Sequence, residues 1–197
     1  QLDEASEANH DTVVTTLAAE QLIVQAADAL DSTDVPVRIL GAPALAHLDY
    51  RDPSLRPFRA VRLLVRTAER PRVSLALGPV QRNGGAASIT WQSSLARNQS
   101  TLSNRYEALW PDDWMTLTLG GRTVLASPAV LRLVDACLMA GNHGGDHRLI
   151  RDRDIAQVLL TSDVDAEDVV RLAGAWRCEA QVAYALSNMV RKRGAVT

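Results

Sequence analysis

Two hydrophobic rhythms succeed each other along the chain, and the switch between them predicts its organisation. From Asp11 to Leu30 the apolar residues Val13, Val14, Leu17, Leu22, Ile23 and Ala26 recur at helical spacing, and DSTDVP supplies a stop. VRIL at 37–40 then reads as a short buried strand running into Gly41 and the helical piece APALAHL, where Pro43 suits a first turn. The turn residues of DYRDPSLRP end that piece, and RAVRLLV follows as a second strand. ERPRVSLAL predicts a short helix with Pro71 near its first turn, RNGG a turn, and the alternation of ASITWQSSL a third strand. MTLTL, GG and RTVLA over 115–126 form a hairpin, because paired glycines tolerate the positive φ that tight hairpin turns demand.

From Ser127 onward the period is helical throughout. Ser127 and Pro128 make a cap and first-turn pair for AVLRLVDACLMA, and three more helical patterns follow near 147–160, 165–176 and 178–192. The order is that of an α+β protein. A small mixed β-sheet with flanking helices, including an N-terminal helix, occupies 1–126, and a C-terminal helical bundle over 127–197 is expected to pack on it as one compact unit. No Pro/Gly/Ser-rich linker separates the two.

Composition narrows the classes further. Apolar residues make up 47% and charged residues 22% of 197, the proportions of an ordinary globular protein, and no apolar run reads as long enough to cross a bilayer. A net charge of −2 gives no global pull toward nucleic acid, and the three cations of VRKRG suit a helix C-terminus, so nucleic acid and membrane are both disfavoured as partners. Cys137 and Cys178 lie far from any metal-ligating or disulfide spacing. With no signal-peptide order at the N-terminus, the expected location is cytoplasmic.

Short motifs add little chemistry. His143, Asp146 and His147 of HGGDH resemble a metal triad, but Gly144 and Gly145 make a shared helical face improbable, so structural loop histidines are expected and no metal ligand is assigned. Tyr106, Trp110 and Trp114 around Asp112 and Asp113 suggest an aromatic plug, with a lid or a partner patch as alternatives. Asp154 in RLIRDRD is read as a structural cap or orienting residue. No nucleophile elbow, Walker sequence or dinucleotide fingerprint occurs.

RILGAPALAHLDYRDPSLRPFRAVRLLV carries more. It resembles the uncharacterised nucleotidyltransferase family, a branch of the DNA polymerase β-like superfamily, whose members read like LKGxALAxLYYxDPxLRPxxDxDLLV. The shared letters are Leu40 or its neighbour before Gly41, then Ala44, Leu45, Ala46, Tyr50, Asp52, Pro53, Leu55, Arg56, Pro57, Leu63, Leu64 and Val65. The resemblance implies a nucleotidyltransferase-like fold and a magnesium site. That site needs two carboxylates at x and x+2 on one strand, where alternation points both to one face, and a third on a neighbouring strand.

The corresponding positions here are Ala60, Arg62 and Ser88, none of them acidic, and the turn has become Leu40-Gly41-Ala42. The chain is therefore expected to be a catalytically inactive, degenerate nucleotidyltransferase-like protein, a pseudoenzyme serving as a binding or regulatory module. Its expected partner is another protein or a small anionic ligand such as a nucleotide. No catalytic residue, metal ligand or cofactor is assigned, and the ligand-binding candidates are Gly41, Ala42, Arg59, Arg62 and Ser88. A guanidinium there could hold phosphate or carboxylate oxygens without metal; the alternative for Arg62 is an ordinary ion pair or a snorkelling surface side chain. Two other readings remain. One is an active transferase of NMP from NTP, using Mg²⁺ with acids such as Asp49, Asp52 or Asp146. The other is a structural subunit or homo-oligomer that buries the apolar 129–140 helix.

Overall fold

The computed structural model describes residues 2–82, 85–93, 113–141 and 149–194. The elements run α1 (Leu2–Asp31), β1 (Arg38–Leu40), α2 (Ala42–Leu48), β2 (Ala60–Leu64), α3 (Arg70–Arg82), β3 (Ser88–Gln92), β4 (Met115–Leu119) and β5 (Arg122–Ala126). Four helices follow: α4 (Ala129–Gly141), α5 (Leu149–Thr161), α6 (Ala166–Ala175) and α7 (Glu179–Gly194). Two 3₁₀ turns, Pro53–Leu55 and Thr67–Glu69, flank β2. The described residues fall into two compact units, one of 2–93 and 113–127, the other of 128–194.

In the first unit the strands form one mixed sheet in the order β3-β2-β1-β5-β4. β1 is antiparallel to β2 and parallel to β5, β2 is parallel to β3, and β4 is antiparallel to β5. Period-two alternation gives the sheet two unlike faces. Ile39, Val61, Leu63, Ile89, Val124 and Ala126 point to one of them and share a core with Ala19, Leu22, Ile23, Ala26 and Leu30 of α1 and with Val73 and Leu77 of α3. The other face is mixed: Arg62, Ser88, Thr90, Gln92, Thr116, Thr118 and Thr123 share it with Ala60, Leu125 and the buried Arg38, Leu40 and Leu64.

At the β4–β5 turn, Gly120 (φ 53°) and Gly121 (φ 79°) both take the left-handed conformation that the paired glycines predicted. In the second unit α4 is the central helix. Leu131, Leu133, Val134, Ala136, Cys137, Leu138 and Ala140 are all buried, and α5, α6 and α7 each pack against it. The apolar helix proposed as a surface for a partner chain is therefore already covered within the chain.

Three expectations need correction. α1 begins at Leu2 rather than near Asp11, because its first turns carry no apolar stripe for periodicity to register. α3 reaches Arg82 with Pro79 inside it; the Leu75 carbonyl that Pro79 cannot bond belongs to a residue 83% exposed, where water can satisfy it. The third correction concerns apolar length. His10–Asp31 of α1 is long and apolar enough, at a mean hydropathy of 1.2, to cross a membrane by length and composition. Its apolarity is accounted for by Ala19, Leu22, Ile23, Ala26 and Leu30, which pack on the sheet.

Candidate functional site

The strand, turn and helix that open the site follow from local sequence. Gly41 sits between β1 and α2 with φ 69° and ψ −140°, a conformation in which a Cβ is strained, so the turn needs glycine. Its carbonyl accepts from the Leu45 N–H at 3.0 Å and starts α2, while Pro43 sits in the first turn and contributes no N–H. His47 at the far end of α2 hydrogen-bonds through Nε2 to Glu20 Oε1 of α1 at 3.0 Å, tying the helix to the layer behind the sheet.

DPSLRP builds the approach to β2. The Asp52 carboxylate accepts from the Ser54 N–H at 2.9 Å and caps the 3₁₀ turn, and the Arg56 N–H reaches the Pro53 carbonyl at 3.0 Å. Hydrogen bonding by Ser54, through its side chain and then its backbone, with Arg51 nearby, holds the Asp52 carboxyl below the usual carboxylate range. Asp52 is thus engaged in turn formation, and Asp49 is buried at 1% exposure.

The β2–β3 register then fixes the centre of the site. Ala60 is level with Ser88, Arg62 with Thr90 and Leu64 with Gln92. In the antiparallel direction Arg62 is level with Leu40, the residue before Gly41. Ala60, Arg62 and Ser88 accordingly share one face on neighbouring strands, beside the turn of Gly41 and Ala42. Ala60 and Ser88 are exposed, while Arg62, Ala42 and Gln92 are intermediate.

Arg59 goes elsewhere. It lines a cleft of about 290 Å³ with Asp11, Thr12, Thr15, Thr16, Pro57 and Phe58, on the α1 side of the sheet. The sequence grouped Arg59 with Arg62, but strand alternation sends the two in opposite directions.

Two features were missed in the sequence. Thr90 stands beside Arg62 on the same face, and the alternation of SITWQ would have revealed it. Arg38, on that face too, forms a buried ion pair with Glu69: Nη1 lies 2.8 Å from Oε2 and 3.1 Å from Oε1. Glu69 also accepts from the Arg66 N–H at 2.6 Å, so one carboxylate joins the start of β1 to the 3₁₀ turn before α3. No local pattern signals a pair 31 residues apart. His143, Asp146, His147, Tyr106, Trp110 and Asp112 lie outside the described residues. Among the described residues no three His, Cys, Asp or Glu side chains gather to hold a metal ion.

Cys137 and Cys178 are buried free thiols. Burial first, then the neighbouring Cys178 and Asp135, push Cys137 up to about 12, and burial followed by Glu179 pushes Cys178 up to about 11. Both stay protonated near neutrality and offer no nucleophile.

This architecture is shared with solved structures over most of the chain. The solution structure of the antibiotic-resistance factor ANT(2'')-Ia is 15% identical at a TM-score of 0.57, and the likeness covers 90% of this chain and 99% of that one. The crystal structure of an antigenic nucleotidyltransferase-like protein from Paracoccidioides brasiliensis is 19% identical at a TM-score of 0.57, covering 94% of this chain and 89% of that one. The fold is therefore nucleotidyltransferase-like. More narrowly, the family described as uncharacterised nucleotidyltransferase matches residues 1–191, and the chain belongs to it. No curated protein matches the chain.

Proposed function

We propose that the chain is a catalytically inactive nucleotidyltransferase-like protein that binds a small anionic ligand, a nucleotide or another phosphorylated molecule, without metal. The observation that carries this reading is the register of Ala60, Arg62 and Ser88 on one sheet face beside the Gly41 turn. A fold of this class implies Mg²⁺ at such a place, and these residues do not fit it. A methyl group and a guanidinium offer no oxygen, a lone serine hydroxyl is a poor ligand for a hard dication, and the guanidinium's fixed charge repels one. No transfer step is derived through a metal here.

The same residues suit an anion. A guanidinium carries five N–H donors in a fixed fork that matches phosphate oxygens, and the Ser88 hydroxyl stands near it on the next strand, while the Thr90 hydroxyl donates to the Val61 carbonyl at 3.4 Å.

Calorimetry with ATP in EDTA, and again with Mg²⁺, tests the reading. Binding that persists in EDTA and weakens roughly tenfold or more in Arg62→Ala supports it, that factor being about 1.4 kcal/mol. Robust transfer of label from any NTP in the presence of Mg²⁺ or Mn²⁺, or binding that requires the metal, refutes it.

A further inference from the structure

The cleft that takes up Arg59 has two chemically opposite walls. One is α1, which presents the Asp11 carboxylate and the hydroxyls of Thr15 and Thr16; the other is the entry to β2, which presents the Arg59 guanidinium, and Pro57 and Phe58 complete the lining. At about 290 Å³ it stands at the small end of ligand clefts, with room for a molecule of amino-acid size.

Hydrogen-bond accounting makes the α1 wall acceptor-only. A threonine hydroxyl has one hydrogen and two lone pairs. Thr15 Oγ1 donates its hydrogen to the Asp11 carbonyl at 2.6 Å, and Thr16 Oγ1 donates to the Thr12 carbonyl at 2.9 Å. Thr15 and the Asp11 carboxylate can therefore offer a ligand only lone pairs. The facing wall is donor-only, because a guanidinium has no acceptor. Among the described residues neither the Asp11 carboxylate nor the Arg59 guanidinium takes part in a hydrogen bond or an ion pair, so two opposite charges border one cleft without neutralising each other.

The walls are also fixed in place. Thr16 Oγ1 accepts from the Phe58 N–H at 3.4 Å, tying α1 to the entry of β2. The His47 ring, bonded to Glu20 of α1, stands edge-on to the Phe58 ring at 6.5 Å. The Ser88 N–H donates to the Arg59 carbonyl at 2.8 Å and holds the Arg59 backbone against β3. A spacing set before the ligand arrives lowers the cost of binding it.

A ligand with one charge is attracted by one wall and repelled by the other. A phosphate or carboxylate gains Arg59 but faces Asp11, and an amine meets the reverse. A zwitterion suits both, its ammonium donating to Asp11 and Thr15 and its carboxylate accepting from Arg59. We propose that this cleft binds a small zwitterion of the amino-acid class, at a site separate from the anion site around Arg62 and independent of it.

Heteronuclear amide NMR of the full chain tests the proposal with matched probes. Leucine and ε-aminocaproate are isomeric zwitterions that differ in the distance between their charges. Isocaproate and isoamylamine are leucine without its ammonium and without its carboxylate. For ligands of about nine heavy atoms a Kd on the order of 1 mM is expected, so each titration runs to about 20 mM at constant ionic strength. The expected result is saturable shifts of the Thr15, Thr16 and Arg59 amides with at least one zwitterion, the better isomer reporting the spacing of the two charges. Both single-charge probes should bind at least about tenfold more weakly, and so should the zwitterion to Asp11→Asn and to Arg59→Gln. Both replaced side chains are exposed, so the variants should keep the dispersed spectrum of the parent. The proposal is overturned by the absence of shifts with either zwitterion, by shifts that map away from the cleft, by single-charge probes that bind as well as the zwitterions, or by undiminished binding in either variant.

Discussion

Replacing Glu69 by alanine should be among the most damaging single changes in the sheet unit. Glu69 and Arg38 are each about 9% exposed at the side chain, and the carboxylate holds both the Arg38 Nη1 and the Arg66 N–H. Truncation leaves a guanidinium with little access to water and without its carboxylate, and an N–H without its acceptor. Removing one member of a buried ion pair costs about 3–5 kcal/mol, chiefly the penalty of the charge left behind. For a chain of this length each kcal/mol lowers Tm by roughly 2–4 °C, so a drop of about 8–16 °C is expected for a loss near 4 kcal/mol. Urea unfolding followed by far-UV circular dichroism gives the energy, and hydrogen exchange at Ile39 and Leu63, opposite each other across β1 and β2, reports the sheet separately from the helical unit. The double variant Arg38→Met with Glu69→Leu removes both charges and should recover to within about 1–2 kcal/mol of the parent, since an apolar pair of similar volume often replaces a buried ion pair at little cost. A single-variant loss under about 1 kcal/mol, or a double variant worse than Glu69→Ala, would refute the claim that charge burial sets the cost.

Further expectations concern the turn, the thiols and the site. Gly120→Ala should cost more than Gly121→Ala by about 1 kcal/mol or more, because both have positive φ but only at Gly120 does a new Cβ meet Val24 Cγ2, at 2.8 Å; paired melting curves decide it. Cys137 and Cys178 should resist iodoacetamide at pH 8 until denaturant is added, and early alkylation in native buffer would contradict their burial. Because folding raises both thiol pKa values, to about 12 and about 11, their contribution is intact below the unfolded value of 9.0 and is lost as pH climbs above it. The slope is about 1.4 kcal/mol per pH unit per thiol, and Cys137→Ala should flatten it in alkaline urea titrations. Finally, Ala60→Asp with Arg62→Asp restores two carboxylates at x and x+2 on one face, and calorimetry should then detect magnesium; no binding would count against assigning these positions to a former metal site.

What the sequence disclosed depended on how local the cause was. The strand before Gly41, the seven-residue helix after it and the paired-glycine hairpin were legible because each is set by residues within a few positions of one another. The full length of α3 is not legible in the sequence, since Pro79 disfavours a helix interior and is tolerated here where the Leu75 carbonyl belongs to an exposed residue. The Arg38–Glu69 pair was invisible because it joins the first strand to a turn beyond the second, and only the folded sheet brings them together. The candidate site lay between these extremes: its residues were named, but their grouping required strand direction.

Three arginines placed in or beside strands show why direction matters. By residue type, Arg38, Arg59 and Arg62 are equivalent cations in or beside strands; the sequence groups Arg59 with Arg62 as ligand candidates and gives no role to Arg38. The fold separates them. Arg38 is neutralised by a buried carboxylate and braces β1; Arg59 turns toward the threonines of α1; Arg62 stands on the opposite face beside Thr90, two residues along β2 from the level of Ser88. Of the three, only Arg62 combines intermediate burial with neighbouring hydroxyls and the Gly41 turn. An anion drawn to this sheet should therefore respond to Arg62→Ala far more than to Arg59→Ala, whereas Arg38→Ala should act mainly through stability. Equal losses of affinity at all three positions would show diffuse electrostatic attraction in place of a built site.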